Sequence, residues 1–234
     1  MLSHEHKCIF VHIPKAAGIS IEQVFLDALG LDFAHRDSLL LGIANRDGKG
    51  PKILSHLTAR EYVECGYVSQ GTFDAYFKFT FVRNPYDRVY SFYKYFGFAN
   101  LISFDRFVID ELPRLFSDPR FIYFVKPMVE YVCDDSGKTL VDFVGKVESI
   151  DRDFEVVAAK MKLGEAKPGD LNRTKDMSLG THFLRTWRIL RKHPGVLLRL
   201  SFRRKAAQKM FDEEMKQMVE KYYDADFARF QYEK

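Results

Sequence analysis

Short groups of residues in this sequence carry functional groups in arrangements that handle anions. The run Pro14-Lys15-Ala16-Ala17-Gly18-Ile19-Ser20 follows an apolar stretch, Cys8 to Ile13, whose one polar member is His12. Lys15 offers a full positive charge, and Gly18 can take backbone angles closed to other residues and lets the chain approach a ligand closely. From Ile19 to Leu29, apolar residues at Ile21, Val24, Phe25 and Leu29 have the spacing of an amphipathic helix. A strand, a short loop with a lysine, and then a helix start place free N–H groups and the positive dipole end where an anion can sit. A second group, Phe79 to Tyr93, has the same design. Arg83 ends an aromatic and β-branched strand over Phe77 to Val82, and its planar fork of donors suits a phosphate dianion. Between the two groups lies His56, a residue type suited to taking a proton near neutral pH.

The first loop is not a Walker phosphate loop, in which lysine directly follows the second glycine; Lys15 comes before Gly18. The order Pro-Lys-Ala-Ala-Gly-Ile-Ser instead resembles the 5′-phosphosulfate loop of sulfotransferases, most closely the Golgi-type family 2 branch that sulfates carbohydrates, where Pro-Lys-x-x-Gly-Thr-Ser is usual. Ile19 stands at the hydroxyl position, so one side-chain hydrogen bond is lost while its backbone N–H remains. Phe79 to Tyr93 is similar to the 3′-phosphate motif of the same proteins, and Arg83 with Ser91, eight residues on, matches its arginine and serine.

The resemblance covers most of the chain. It implies a nucleotide-kinase-like (P-loop) α/β fold, three layers with a central parallel sheet flanked by helices, and transfer of a sulfuryl group from 3′-phosphoadenosine 5′-phosphosulfate (PAPS) to a hydroxyl. The product nucleotide would be 3′-phosphoadenosine 5′-phosphate (PAP). In that reading Lys15, Ala16, Ala17, Gly18, Ile19 and Ser20 hold the 5′-phosphosulfate, Arg83 and Ser91 hold the 3′-phosphate, and Lys15 and His56 are catalytic. Some polysaccharide sulfotransferases place a histidine after the second strand, which favours His56 as base over a loop-bonding histidine. Glu22 is the carboxylate alternative, and His12 is read as a core residue or a residue just behind the site. Leaving-group stabilisation by Lys15 and the loop requires no metal, and no metal-ligand spacing is evident. A nucleotide kinase would need the Walker lysine and a magnesium set, neither of which is found. A catalytically silent nucleotide- or polyanion-binding protein is the remaining alternative.

These groups need elements to position them. A short strand, Lys52 to Ser55, is expected to lead into His56, with Thr58 and Glu61 as a capping box for a helix ending near Cys65. Asn84 caps and Pro85 starts a helix through Tyr95, with Val89, Phe92 and Phe96 inward and Arg88 in a salt bridge or at the surface. Beyond it, Phe98 to Phe124 reads as helical pieces broken at Pro113 and Pro119. Next come a turn around Asp135, a strand from Leu140 to Val147, and a helix Asp151 to Met161. Glu148 is read as structural in preference to ordering the site, and Arg173 and Lys175 are weaker candidates for contacts to donor or acceptor. A final helix is expected from Phe211 to Tyr223, followed by an aromatic tail from Asp224.

At 234 residues the chain suits one domain spanning 1–234. Its isolated cysteines, Cys8, Cys65 and Cys133, fit a reducing compartment. With no apolar run long enough for a membrane span and little chain ahead of the first strand, a cytoplasmic location is expected. The net charge of +4 argues no partner by itself, but nine lysines and arginines and no acidic residue lie between Asp176 and Asp212. This basic segment, 182–209, reads as solvated, as attracting an anionic polysaccharide, or, through 182–205, as touching a membrane surface. No nucleic-acid fingerprint is present. The acceptor is expected to be a carbohydrate hydroxyl.

Overall fold

The structure, a computed structural model, describes residues 1–41, 50–169, 191 and 211–234. The basic segment 182–209, apart from residue 191, and the candidates Arg173 and Lys175 lie outside the described residues. The chain divides into two compact units, 1–83 with 127–172, and 84–126 with 173–234.

The first unit is built on a four-stranded sheet in the order β1 (Leu2–Ser3), β2 (Cys8–Val11), β3 (Phe77–Val82) and β4 (Phe143–Lys146). β1 is an antiparallel edge, whereas β2, β3 and β4 run parallel. Every residue of β2 is buried, as its unbroken apolar run requires of a strand covered on both faces. One face packs Cys8, Phe10, Phe79 and Phe81 against helix α1 (Gly18–Ala28) through Ile21, Val24 and Phe25, and against the helix Ile150–Met161 through Phe154 and Val157. Phe10 and Phe79 are register partners and stack at 5.0 Å.

The Thr58–Glu61 capping box forms as expected: Thr58 N–H donates to Glu61 Oε2 at 2.8 Å and Glu61 N–H to Thr58 Oγ1 at 3.3 Å. The helix it opens, Glu61–Glu64, ends at Cys65. The strand expected over Lys52 to Ser55 is absent; Leu54–His56 is a 3₁₀ turn, so four apolar-rich residues were too short a signal to separate strand from turn. The turn after Tyr131 is held by Asp134, which accepts from the N–H groups of Ser136 and Lys138.

The second unit packs an aromatic core around the helix Pro85–Tyr95, capped by Asn84 Oδ1 accepting from Tyr86 N–H at 2.9 Å. Pro113 does not break its segment. The chain runs helically from Phe104 to Phe116 with one π turn, Phe107–Glu111, whose wider loop absorbs the missing proline N–H. The last helix extends over Glu213–Phe230, beyond the expected end at Tyr223. Phe227 joins the aromatic core and Phe230 is buried, which holds the extra turns, with a kink at Tyr223.

Of the two roles expected for Arg88, burial overturns the surface one. It is 2% exposed, donates to the carbonyls of Lys126 at 2.9 Å and Phe124 at 3.1 Å, and lies over the Tyr223 ring. It therefore ties the segment before Pro127 to this unit's core. Arg88→Ala removes two charged-donor hydrogen bonds and is expected to destabilise the protein by about 3 kcal/mol, read from its urea midpoint.

Among the described residues no helix is long and apolar enough to cross a membrane.

Candidate functional site

β2 and β3 are adjacent and parallel, so the loop after Val11 and the residue after Val82 emerge at the same edge of the sheet. Carboxyl ends of parallel strands are where α/β proteins place their ligands. Arg83 and Lys15 are brought together there: Arg83 Nη1 donates to the Lys15 carbonyl at 3.4 Å. Nothing in the spacing of residues so far apart reveals this contact. It follows from the pairing of the two strands.

The loop is wound more tightly than its sequence implies. Lys15 and Ala17 both take left-handed backbone angles, with φ of 69° and 62°. Such angles in non-glycine residues are strained, and alternation of this kind turns successive N–H groups inward to form an anion-binding hollow. Ala17 is the N-cap of α1 and has no side-chain oxygen to offer, and the first turn holds no acidic residue. The start of α1 is thereby left for an outside anion. Ser20 is buried in the first turn, while Ile19 is 40% exposed.

Gly18 was expected to supply unusual backbone freedom, but the left-handed angles fall on its neighbours instead. Its requirement is steric: a Cβ at this position would overlap the His12 imidazole, whose Nε2 edge lies against it. His12 is in turn held by Glu22, with its Nδ1 donating to Oε1 at 2.5 Å and both side chains 7% exposed. Glu22 thus faces His12 from within the sheet–helix interface.

His56 joins this cluster. Its ring meets that of His12 edge to face, centroids 4.8 Å apart, and its Nδ1 edge is buried although the residue keeps some surface. Burial, then the charge of His12, pushes the His56 imidazole well below the ordinary histidine range. Met1's amino group and Lys15 add to this, and a hydrogen bond to the His12 backbone opposes it. His56 is therefore a neutral imidazole near pH 7, with one ring nitrogen carrying a proton and the other able to accept one.

Since the unfolded chain takes up this proton at about pH 6.5 and the folded chain does not, the contribution is present above that value and lost as pH falls through it. Unfolding midpoints measured from neutral to mildly acidic pH are expected to fall less steeply for His56→Gln than for the wild type.

The other nearby candidate for proton or nucleophile chemistry, Cys8, is inert core, its thiol pushed up to about 12 by burial. Ser91 lies in the second unit, on the helix Pro85–Tyr95. That helix carries its own N-cap, Asn84, and Asp87 in its first turn, so any phosphate affinity there must come from side chains rather than from a bare helix start. The residues that sequence reasoning underrated are His12 and Glu22. Their separation of ten residues spans a loop and a helix turn, and no periodicity links them.

A mixed α/β sheet carries an uncapped helix start, a lysine and an arginine at one edge, an arrangement that can receive an anion. The chain matches the sequence model of sulfotransferase family 2 over residues 1–233 and belongs to that family. No curated protein and no solved structure matches the chain.

Proposed function

We propose that this protein moves a sulfuryl group from PAPS to a hydroxyl of a carbohydrate acceptor, the nucleotide-kinase-like sheet serving as scaffold and the whole chain acting as one sulfotransferase domain. The observation that carries this reading is the strained, uncapped loop at Lys15 to Ser20, met at the same sheet edge by Arg83. PAPS supplies the sulfuryl group on a 5′-phosphate. Lys15 and the N–H groups of Ala17, Gly18 and Ile19 stabilise charge growing on the leaving phosphate oxygen, with Ser20 donating to the same group; the Ala16 N–H is already given to the Ile13 carbonyl at 3.2 Å. Arg83 and Ser91 fix the 3′-phosphate and so set the register of the donor. His56 takes the hydroxyl proton as the acceptor oxygen bonds to sulfur and the bond from sulfur to the 5′-phosphate breaks. Its low proton affinity keeps it ready as a base, and the negative charge of a bound donor raises that affinity during transfer. The exposed Ile19 leaves one fewer hydroxyl donor in the loop. Cys65 and Cys133, which form no disulfide among the described residues, suit a cytoplasmic setting.

Transfer of radiolabelled sulfate from PAPS to a panel of unsulfated glycans tests this reading. Labelled glycan is the expected product. Binding of PAP without any transfer would make the protein a silent nucleotide binder. His56→Ala is expected to lower kcat by about 10²–10⁴-fold while PAP binding measured by calorimetry persists. An unchanged rate in that variant places the base elsewhere.

A further inference from the structure

The His12 imidazole is enclosed on every side by groups with a bearing on the site. Its Nδ1 donates to Glu22, its Nε2 edge lies against Gly18, Phe10 stacks on it at 5.7 Å, and His56 meets it edge to face. His12 directly follows β2, and Glu22 lies one turn into α1, so the couple spans the junction between the sheet and the helix that starts the loop's anion site. A buried imidazole–carboxylate pair is costly, and apolar side chains of the same volume would pack this interface as well or better. Its retention at this spot calls for a role that packing alone does not fill.

We propose that Glu22 and His12 form a positioning pair for the transfer reaction. Glu22 fixes the His12 ring through Nδ1, and the fixed ring seats both the Gly18 turn of the loop and the His56 imidazole. The proposal rests on the sulfotransferase reading above, and it removes Glu22 from consideration as the base. A carboxylate already accepting from His12 inside the sheet–helix interface holds the ring rather than meeting the acceptor. Any tilt of His12 would move the leaving-group loop and the base together. A displacement of about 1 Å at a reacting centre is enough to cost roughly 10²-fold in rate.

The substitutions Glu22→Ala and Glu22→Gln separate the possibilities. Gln keeps an oxygen that accepts from His12 Nδ1 but cannot take a proton. Glu22→Ala is expected to lower kcat with PAPS and an unsulfated glycan about 10²-fold. It should also shift the His56 imidazole signals in NMR of isotope-labelled histidine, and Glu22→Gln should restore most of both. If Glu22→Gln is as slow as Glu22→Ala, the carboxylate itself is needed and the proposal is overturned. Unmoved His56 signals in Glu22→Ala overturn it equally. Should Glu22→Ala not fold, His12→Asn takes its place; it keeps an N–H toward Glu22 but lacks the Nε2 edge. It is expected to show the same loss and the same shift, and a rate near the wild type overturns the proposal. A wild-type chain that binds PAP but transfers nothing refutes the sulfotransferase reading alone, and the His56 signals still decide the positioning role.

Discussion

Lys15→Ala is expected to lower kcat for sulfuryl transfer by about 10²–10³-fold, the range for removing one preorganised donor from a site of developing charge. The structure makes this substitution unusually clean. Lys15 already sits at φ 69°, and alanine bears the same Cβ in that strained region, so the backbone cost is nearly unchanged. The contact from Arg83 is to the Lys15 carbonyl, which the substitution keeps. What is lost is the ammonium group alone. Binding of PAP, which carries the 5′-phosphate but no sulfuryl group, should weaken far less than kcat falls, because the charge that Lys15 stabilises grows during bond breaking. Radiolabelled sulfate transfer and calorimetry on the same preparation measure both quantities. A rate within a few-fold of the wild type would refute the leaving-group role.

Gly18→Ala is the second large effect, and its sign runs against helix propensity. Gly18 is the first residue of α1, and alanine is the better helix former by about 1 kcal/mol. The new methyl group would nevertheless overlap the His12 ring, which Glu22, Phe10 and His56 hold in place. Overpacking of this kind costs about 1–3 kcal/mol, so a net loss of stability is expected, visible as a lower urea midpoint. Activity should drop by about 10²-fold, since the loop and the base are displaced together. Combining Gly18→Ala with His12→Ala removes the obstacle. The double variant is expected to recover stability relative to the sum of the single changes, which is the sign of direct contact in a double-mutant cycle. Recovery of stability without recovery of turnover would show that the glycine is there for the histidine and the histidine for the reaction. Strict additivity would sink this account of Gly18.

Much of the scaffold was legible from local signals because local physics sets it. The apolar run at Cys8, the helix from Gly18, the strand Phe77–Val82 and the caps at Thr58 and Asn84 depend on side chains within a few residues of one another. Readings failed where distant packing outweighed the local preference. Phe227 joins the aromatic core and Phe230 is buried, so the last helix continues past Tyr223. A π turn lets the chain carry Pro113, and buried carbonyls draw Arg88 inward.

The candidate site divides in the same way. The sequence by itself determined that Lys15 precedes a helix start, that Arg83 ends a strand and that His56 lies between them, and with those motifs it pointed to the family. Only the tertiary structure decided that Arg83 reaches the Lys15 carbonyl, that Gly18 is required for the His12 ring rather than for a left-handed turn, and that Glu22 serves His12. The physical reason is that these contacts depend on which strands pair and which helix face meets the sheet. Long-range pairing sets that geometry, and no short stretch of residues records it.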